Sequence, residues 1–174
     1  MAKKKSKFNV NQSPEGKKKR THNGILFSSE LEKDYYVYLL EQQSLGLIES
    51  IELQPKFLLQ KGYVRKCDGK KILPIYYIAD FNVDGKIIDT KGMPKSDGIL
   101  KRKMFEYLYP DISFSWVSWS KQDGGWIEYD LLMVERRKRK KDKDSKNKSE
   151  KTKEEVIKDM LQKHAVTMQK LADS

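Results

Sequence analysis

The 174 residues carry 36 Lys and Arg against 25 Asp and Glu, a formal charge of +11, with 37% apolar residues. That size predicts one domain with tails, and the charge predicts a polyanionic partner, nucleic acid rather than an anionic membrane, because no apolar anchor accompanies the basic runs. The lone Cys67 excludes a disulfide framework and a thiolate zinc site, and His22 and His164, both outside the expected core, argue against Ser/His or Cys/His nucleophilic chemistry.

No run approaches 18 apolar residues and the N-terminus lacks an apolar leader, so a soluble cytoplasmic protein is expected. Residues 1–23 hold Lys3, Lys4, Lys5 and Lys7, then Lys17, Lys18, Lys19 and Arg20, among Asn, Ser, Pro and Gly. This composition predicts a flexible basic arm able to contact phosphates. Ser29 and Glu32 form an S-x-x-E capping box that opens a helix over about 29–43, ended by Gly46. Leu47 to Gln54 alternates as a strand, Pro55 breaks it, and Phe57 to Gln60 resumes. Cys67-Asp68-Gly69-Lys70 is a turn.

Next come two β-rich runs around Asp84-Gly85, a strong hairpin signal. Ser96-Asp97 can cap a helix through Leu108, ended by Pro110, with Lys101, Arg102 and Lys103 on its outer face as possible phosphate contacts. Ile112 to Trp119 alternates as a strand, and Trp126 to Val134 reads as the last one. A Lys/Arg-dominated linker at 136–152 then leads to an amphipathic helix at 153–174, with Val156, Ile157, Met160, Leu161, His164, Met168 and Leu171 at helical spacing. Residues 24–135 therefore form the domain, a mixed α/β layer structure.

The hairpin carries the chemistry. With Asp84 and Gly85 as its loop, Val83 pairs with Lys86, Asn82 with Ile87, Phe81 with Ile88, and Asp80 with Asp89. Opposed side chains have Cβ atoms about 4.5–5.5 Å apart, and like charges there repel. Strand alternation adds Lys91 to the face of Asp89. Two carboxylates in an apolar setting suit a divalent cation, Mg²⁺ or Mn²⁺, which keeps waters and can bind a phosphate oxygen. With a lysine to orient water and stabilise negative charge, that set fits phosphodiester hydrolysis. Glu32 is either a further functional acid or only the capping partner of Ser29, since the capping box accounts for it without any chemistry.

Asp80, followed by Asp89-Thr90-Lys91, resembles the D…(D/E)-x-K signature of the PD-(D/E)XK nuclease superfamily, with Ala79 where the motif's name has proline. Residues 24–134 more closely resemble a phage-encoded family described as a domain of unknown function. The residues that carry this likeness are Phe27-x-Ser29-x-x-Glu32, Leu53 to Phe57, Tyr77 to Phe81, Asp89 to Gly92 and Lys101-Arg102-Lys103-x-Phe105. The resemblance implies a restriction-endonuclease-like core, a mixed β-sheet flanked by helices. It also implies that Asp80, Asp89 and Glu32 are metal ligands and Lys91 the catalytic lysine. Gln54 and Lys56 join Lys17 to Arg20 and Lys101 to Lys103 as nucleic-acid contacts. Small basic members of that superfamily resemble dimeric resolvases of Holliday junctions and other branched DNA, so a homodimeric Mg²⁺-dependent DNA endonuclease is the expectation. Its rivals are a nucleic-acid-binding module without catalysis and an interaction protein of phage replication or packaging.

Overall fold

The computed structural model describes residues 11–172, which leaves Lys3, Lys4, Lys5 and Lys7, and the side chains of Val156, His164, Met168 and Leu171, outside the described residues. The chain divides into two units, residues 1–130 and 131–174.

Structure begins within the stretch expected to be a loose arm. Ser13 caps a short helix, α1 (Pro14–Lys19), its hydroxyl accepting the Gly16 amide at 3.1 Å, with proline at the first helical position. Strands β1 (Thr21–His22) and β2 (Ile25–Leu26) follow as an antiparallel pair around Asn23-Gly24. Both turn residues have positive φ, 48° and 77°, which Asn and Gly tolerate best. Arg20 is buried and donates from Nη1 to the Phe27 carbonyl at 3.1 Å and from Nη2 to Gln12 Oε1 at 2.9 Å. Its guanidinium is thus engaged within this segment rather than presented to solvent as a phosphate contact would need. Lys17, Lys18 and Lys19 remain exposed.

The capping box then opens α2 (Glu30–Ser44), and Gly46, at φ 71°, closes it. The remaining elements are β3 (Ile51–Leu53), β4 (Lys56–Gln60), β5 (Tyr63–Val64), β6 (Lys71–Ile72), β7 (Ile75–Ile78), β8 (Phe81–Val83) and β9 (Lys86–Thr90). After them come α3 (Ser96–Leu108), β10 (Phe114–Ser120), β11 (Gly125–Glu128) and α4 (Tyr129–Ala172).

Five strands form a mixed sheet in the order β11-β10-β9-β8-β3. The β8–β9 register is the expected one as far as Phe81↔Ile88. Strands β9 and β10 are parallel, joined by α3 as parallel neighbours must be joined by a crossover. Consecutive β9 residues face opposite sides of the sheet. Ile88 packs with Tyr35 and Leu39 of α2, and Ile87 with Phe105 of α3. Helices thus cover both faces of a central strand that ends in Asp89-Thr90. Strands β4 and β7 pair separately, as do β5 and β6.

Two expected segments near the C-terminus change character. The last strand stops at Glu128, and both the tail of that run and the expected linker at 136–152 are helical within α4. Residues 126–172 contain neither Gly nor Pro and are rich in Lys, Arg and Glu, which are good helix formers even when fully solvated. On α4, Ile157, Met160 and Leu161 are exposed. Among the described residues no helix is long and apolar enough to cross a membrane.

Candidate functional site

Strand β9 delivers Asp89 into the domain interior, where it is 3% exposed. A carboxylate buried this deeply needs partners. Its Oδ1 accepts from Lys91 Nζ at 2.6 Å, and its Oδ2 accepts from the Tyr77 hydroxyl. The Tyr77 oxygen in turn accepts from Trp116 Nε1 at 3.0 Å. Burial, and next the charge of Asp89, push the Tyr77 phenol well above its ordinary pKa, so it stays a donor. The backbone holds the same geometry: Trp116 lies opposite Asp89 in the β9–β10 register, and the Lys91 amide donates to the Val117 carbonyl at 2.7 Å.

Asp80 occupies the joint between β7 and β8 rather than a ladder position. The expected Asp80↔Asp89 strand pair is therefore not formed, because pairing stops at Phe81↔Ile88. Instead Asp80 Oδ2 accepts the Thr90 amide at 2.7 Å and the Thr90 hydroxyl at 2.6 Å. Its own carbonyl accepts the Gln54 amide at 3.0 Å. Burial raises the Asp80 pKa well above the carboxylate range, and the charges of Asp89 and Glu32 raise it further.

Glu32 enters from the first turn of α2 and is 2% exposed. The Ser29 hydroxyl accepts its amide at 3.0 Å, and its Oε2 reaches back to the Ser28 amide at 2.9 Å. Burial again raises its pKa, offset in part by the Ser28 bonds and assisted by the charge of Asp89. Glu32 is thus both helix cap and part of the acidic patch.

The donor set has the chemistry of a hard divalent cation site, since all its ligand atoms are carboxylate oxygens and their mutual repulsion calls for positive charge. It does not have the expected threefold grip. Among the described residues no three His, Cys, Asp or Glu side chains converge closely enough to hold one ion. Asp80 and Glu32 both feel the charge of Asp89, an effect that carries further than ligand distance. The residues fit Mg²⁺ or Mn²⁺ held by one or two carboxylates and water, the usual Mg²⁺ arrangement. In that arrangement Asp80 and Asp89 are the candidate ligands, and Glu32 is a charge behind them.

The other predicted contacts are scattered. Gln54 is exposed at φ 52°, and only its backbone touches the site, through Asp80. Lys56 is exposed, its ammonium 3.9 Å from the centre of the Tyr76 ring. Lys103 is exposed and Lys101 half-buried. Arg102 is committed inside the domain: it pairs with Glu106 at 2.7 Å and Asp130 at 2.6 Å, and stacks 4.6 Å from the Trp116 ring. Residue spacing pointed to neither Tyr77, Thr90 nor Trp116. A cleft of about 640 Å³ between α2 and the β10–β11 end of the sheet is lined by Tyr38, Glu41, Trp119 and Trp126 and includes none of Glu32, Asp80 and Asp89. The acidic patch, where burial raises the pKa values of Asp80 and Glu32, remains the candidate site.

Residues 12–124 match the family model described as a protein of unknown function, DUF1064. The chain belongs to this family. No curated protein and no solved structure matches it.

Proposed function

We propose that this DUF1064 member is a divalent-metal-dependent DNA endonuclease with a restriction-endonuclease-like core. One observation carries the reading: β9 ends in Asp89-Thr90, Lys91 follows it, and Asp80 is bonded across to Thr90, so two carboxylates and an ammonium share one patch at the end of a central strand. The charge of +11 supports a polyanionic substrate. A phage origin, a dimeric state and branched DNA as substrate are parts of the same proposal.

Asp80 and Asp89 would hold Mg²⁺ or Mn²⁺. When bound, the ion would lower the pKa of an attacking water and offset charge on the phosphate. The chain's own residues do the rest. Thr90 fixes Asp80 through two hydrogen bonds, and Tyr77 fixes Asp89. Lys91, whose side chain is 26% exposed, carries the ammonium available to stabilise negative charge developing at the scissile phosphate.

A second reading has its own support. Both Asp89 oxygens are already engaged, by Tyr77 and Lys91, as they would be in a binding module that keeps the fold without cleavage. Incubating the full chain with linear, flapped and four-way-junction DNA in Mg²⁺, Mn²⁺ or EDTA separates the two. The nuclease reading expects metal-dependent products that fall by at least about 10³-fold in Asp89→Ala, since lost charge stabilisation is worth several kcal/mol. Intact substrates in every metal would leave the binding module.

A further inference from the structure

We propose that the arm formed by β4–β7, with the β5–β6 ribbon at its end, seats the phosphate backbone of a nucleic-acid duplex through Lys61, Lys66, Lys70 and Lys71. The proposal rests on the nuclease reading for the place of the scissile phosphate, but not for binding itself.

Between Leu53 and Ala79 the chain has Lys56, Lys61, Arg65, Lys66, Lys70 and Lys71 against a single acid, Asp68. A face that serves only solubility mixes both signs. This one does not. Residues 61–71 are exposed throughout, so the ribbon has no buried face. A two-stranded ladder of that kind is marginal unless something else shapes it. Here the tip is built by local bonds. The Arg65 amide donates to the Lys70 carbonyl at 2.8 Å, and the Gly69 amide donates to the Arg65 carbonyl at 2.8 Å. Asp68 Oδ1 accepts from Arg65 Nε at 2.8 Å and from the Lys70 amide at 3.2 Å. Gly62 lets the limbs close, because a Cβ there would stand 3.1 Å from the Ile72 carbonyl oxygen.

This bonding has a chemical result. The one acid is used on Arg65, and Lys61, Lys66, Lys70 and Lys71 make no ion pair among the described residues. Four unneutralised ammonium groups are thus presented on a shaped, solvent-facing ribbon, with the aromatic Tyr63 half exposed between them. A ribbon of two strands is of a size that the major groove, roughly 12 Å wide, admits.

The arm is also continuous with the acidic patch. At its base the Gln54 amide donates to the Asp80 carbonyl, and the Ala79 amide to the Pro55 carbonyl at 3.1 Å. One antiparallel pair of limbs therefore carries Asp80 at its root and the lysines at its tip. A duplex seated on the tip runs toward the carboxylates, which on their own repel it.

The test is the full chain carrying Lys66→Ala, Lys70→Ala and Lys71→Ala, with Lys66→Glu alone as a milder variant. Binding to a fluorescent duplex is read by anisotropy in EDTA across a salt series. Each phosphate contact contributes about 0.9 to the slope of log affinity against log salt. The triple variant should lose about 2–3 from that slope and at least tenfold in affinity, and Lys66→Glu should weaken binding in the same direction with an unchanged Tm. Equal slopes and affinities in wild type and both variants would overturn the proposal. So would ribbon-dependent binding to phosphatidylserine vesicles or an acidic peptide with none to the duplex. Slope loss in a protein that cleaves nothing removes the nuclease reading and keeps the arm, whereas cleavage with equal slopes does the opposite.

Discussion

Replacing Asp80 by Asn keeps an oxygen for the Thr90 amide and hydroxyl but removes a charge that burial, Asp89 and Glu32 all oppose. Because the folded pKa of Asp80 is raised, the folded state binds more protons than the unfolded one between the ordinary carboxylate range and that raised value. Stability therefore falls as pH rises through this window. In metal-free buffer Asp80→Asn should melt above wild type at pH 8, and the difference should shrink to nothing as pH falls to the ordinary carboxylate range. Thermal melts across pH check this, and a variant less stable than wild type at pH 8 contradicts it. Asp80, Asp89 and Lys91 were legible as neighbours because the turn signal fixes the register as far as Phe81↔Ile88, although the Asp80↔Asp89 pair itself does not form. Tyr77 and Trp116 were not, because the bonds that matter link Tyr77 to Asp89 over 12 positions and Trp116 to Tyr77 over 39. No local pattern encodes such partners. Thr90 was passed over because an expected Asp80↔Asp89 pair left it no role.

At the scale of elements, α2 joins stability to chemistry through one turn. The Ser29 hydroxyl satisfies the Glu32 amide, while the Glu32 carboxylate satisfies Ser28. Ser29→Ala should cost about 0.5–2 kcal/mol in denaturant unfolding. Glu32→Gln keeps an acceptor for Ser28 and removes the buried charge, so it should unfold at or above the wild-type denaturant midpoint yet cleave DNA poorly. Full cleavage by Glu32→Gln would reduce Glu32 to a cap. The capping box and the Asp84-Gly85 hairpin could be read directly from sequence, because each is a short-range device with its own stereochemistry. Asn23-Gly24 is the same kind of signal, with φ of 48° and 77° against 48° and 86° at Asp84-Gly85. It was obscured by the basic residues around it, whose charge suggests a tail. The same bias turned residues 136–152 of α4 into a linker: a charged run without Gly or Pro is as compatible with a solvated helix as with disorder.

For the whole molecule, charge is segregated: buried carboxylates lie at the root of an arm whose exposed surface is almost entirely positive. A cation that binds only the folded acidic patch stabilises it by mass action, by about 2.7 kcal/mol at a hundred times its dissociation constant. Mg²⁺ or Mn²⁺ should therefore raise the wild-type Tm, with EDTA reversing the rise, and Asp80→Asn should respond much less. Calorimetry in the absence of DNA reads this independently of cleavage. Identical responses in the two proteins would place the cation elsewhere.

The parallel pairing of β9 with β10 sets an order of events during synthesis. Glu32, Tyr77, Asp80, Asp89 and Lys91 have all been made once the ribosome passes residue 91. The Tyr77 hydroxyl, however, takes its bond from Trp116, and the Lys91 amide is held by Val117. Those residues arrive only after the crossover helix α3 has been translated and has laid β10 against β9. Until then Tyr77 and Lys91 lack the β10 bonds that hold them beside Asp89, so a growing chain carries the acidic residues for some 25 codons before the site is complete.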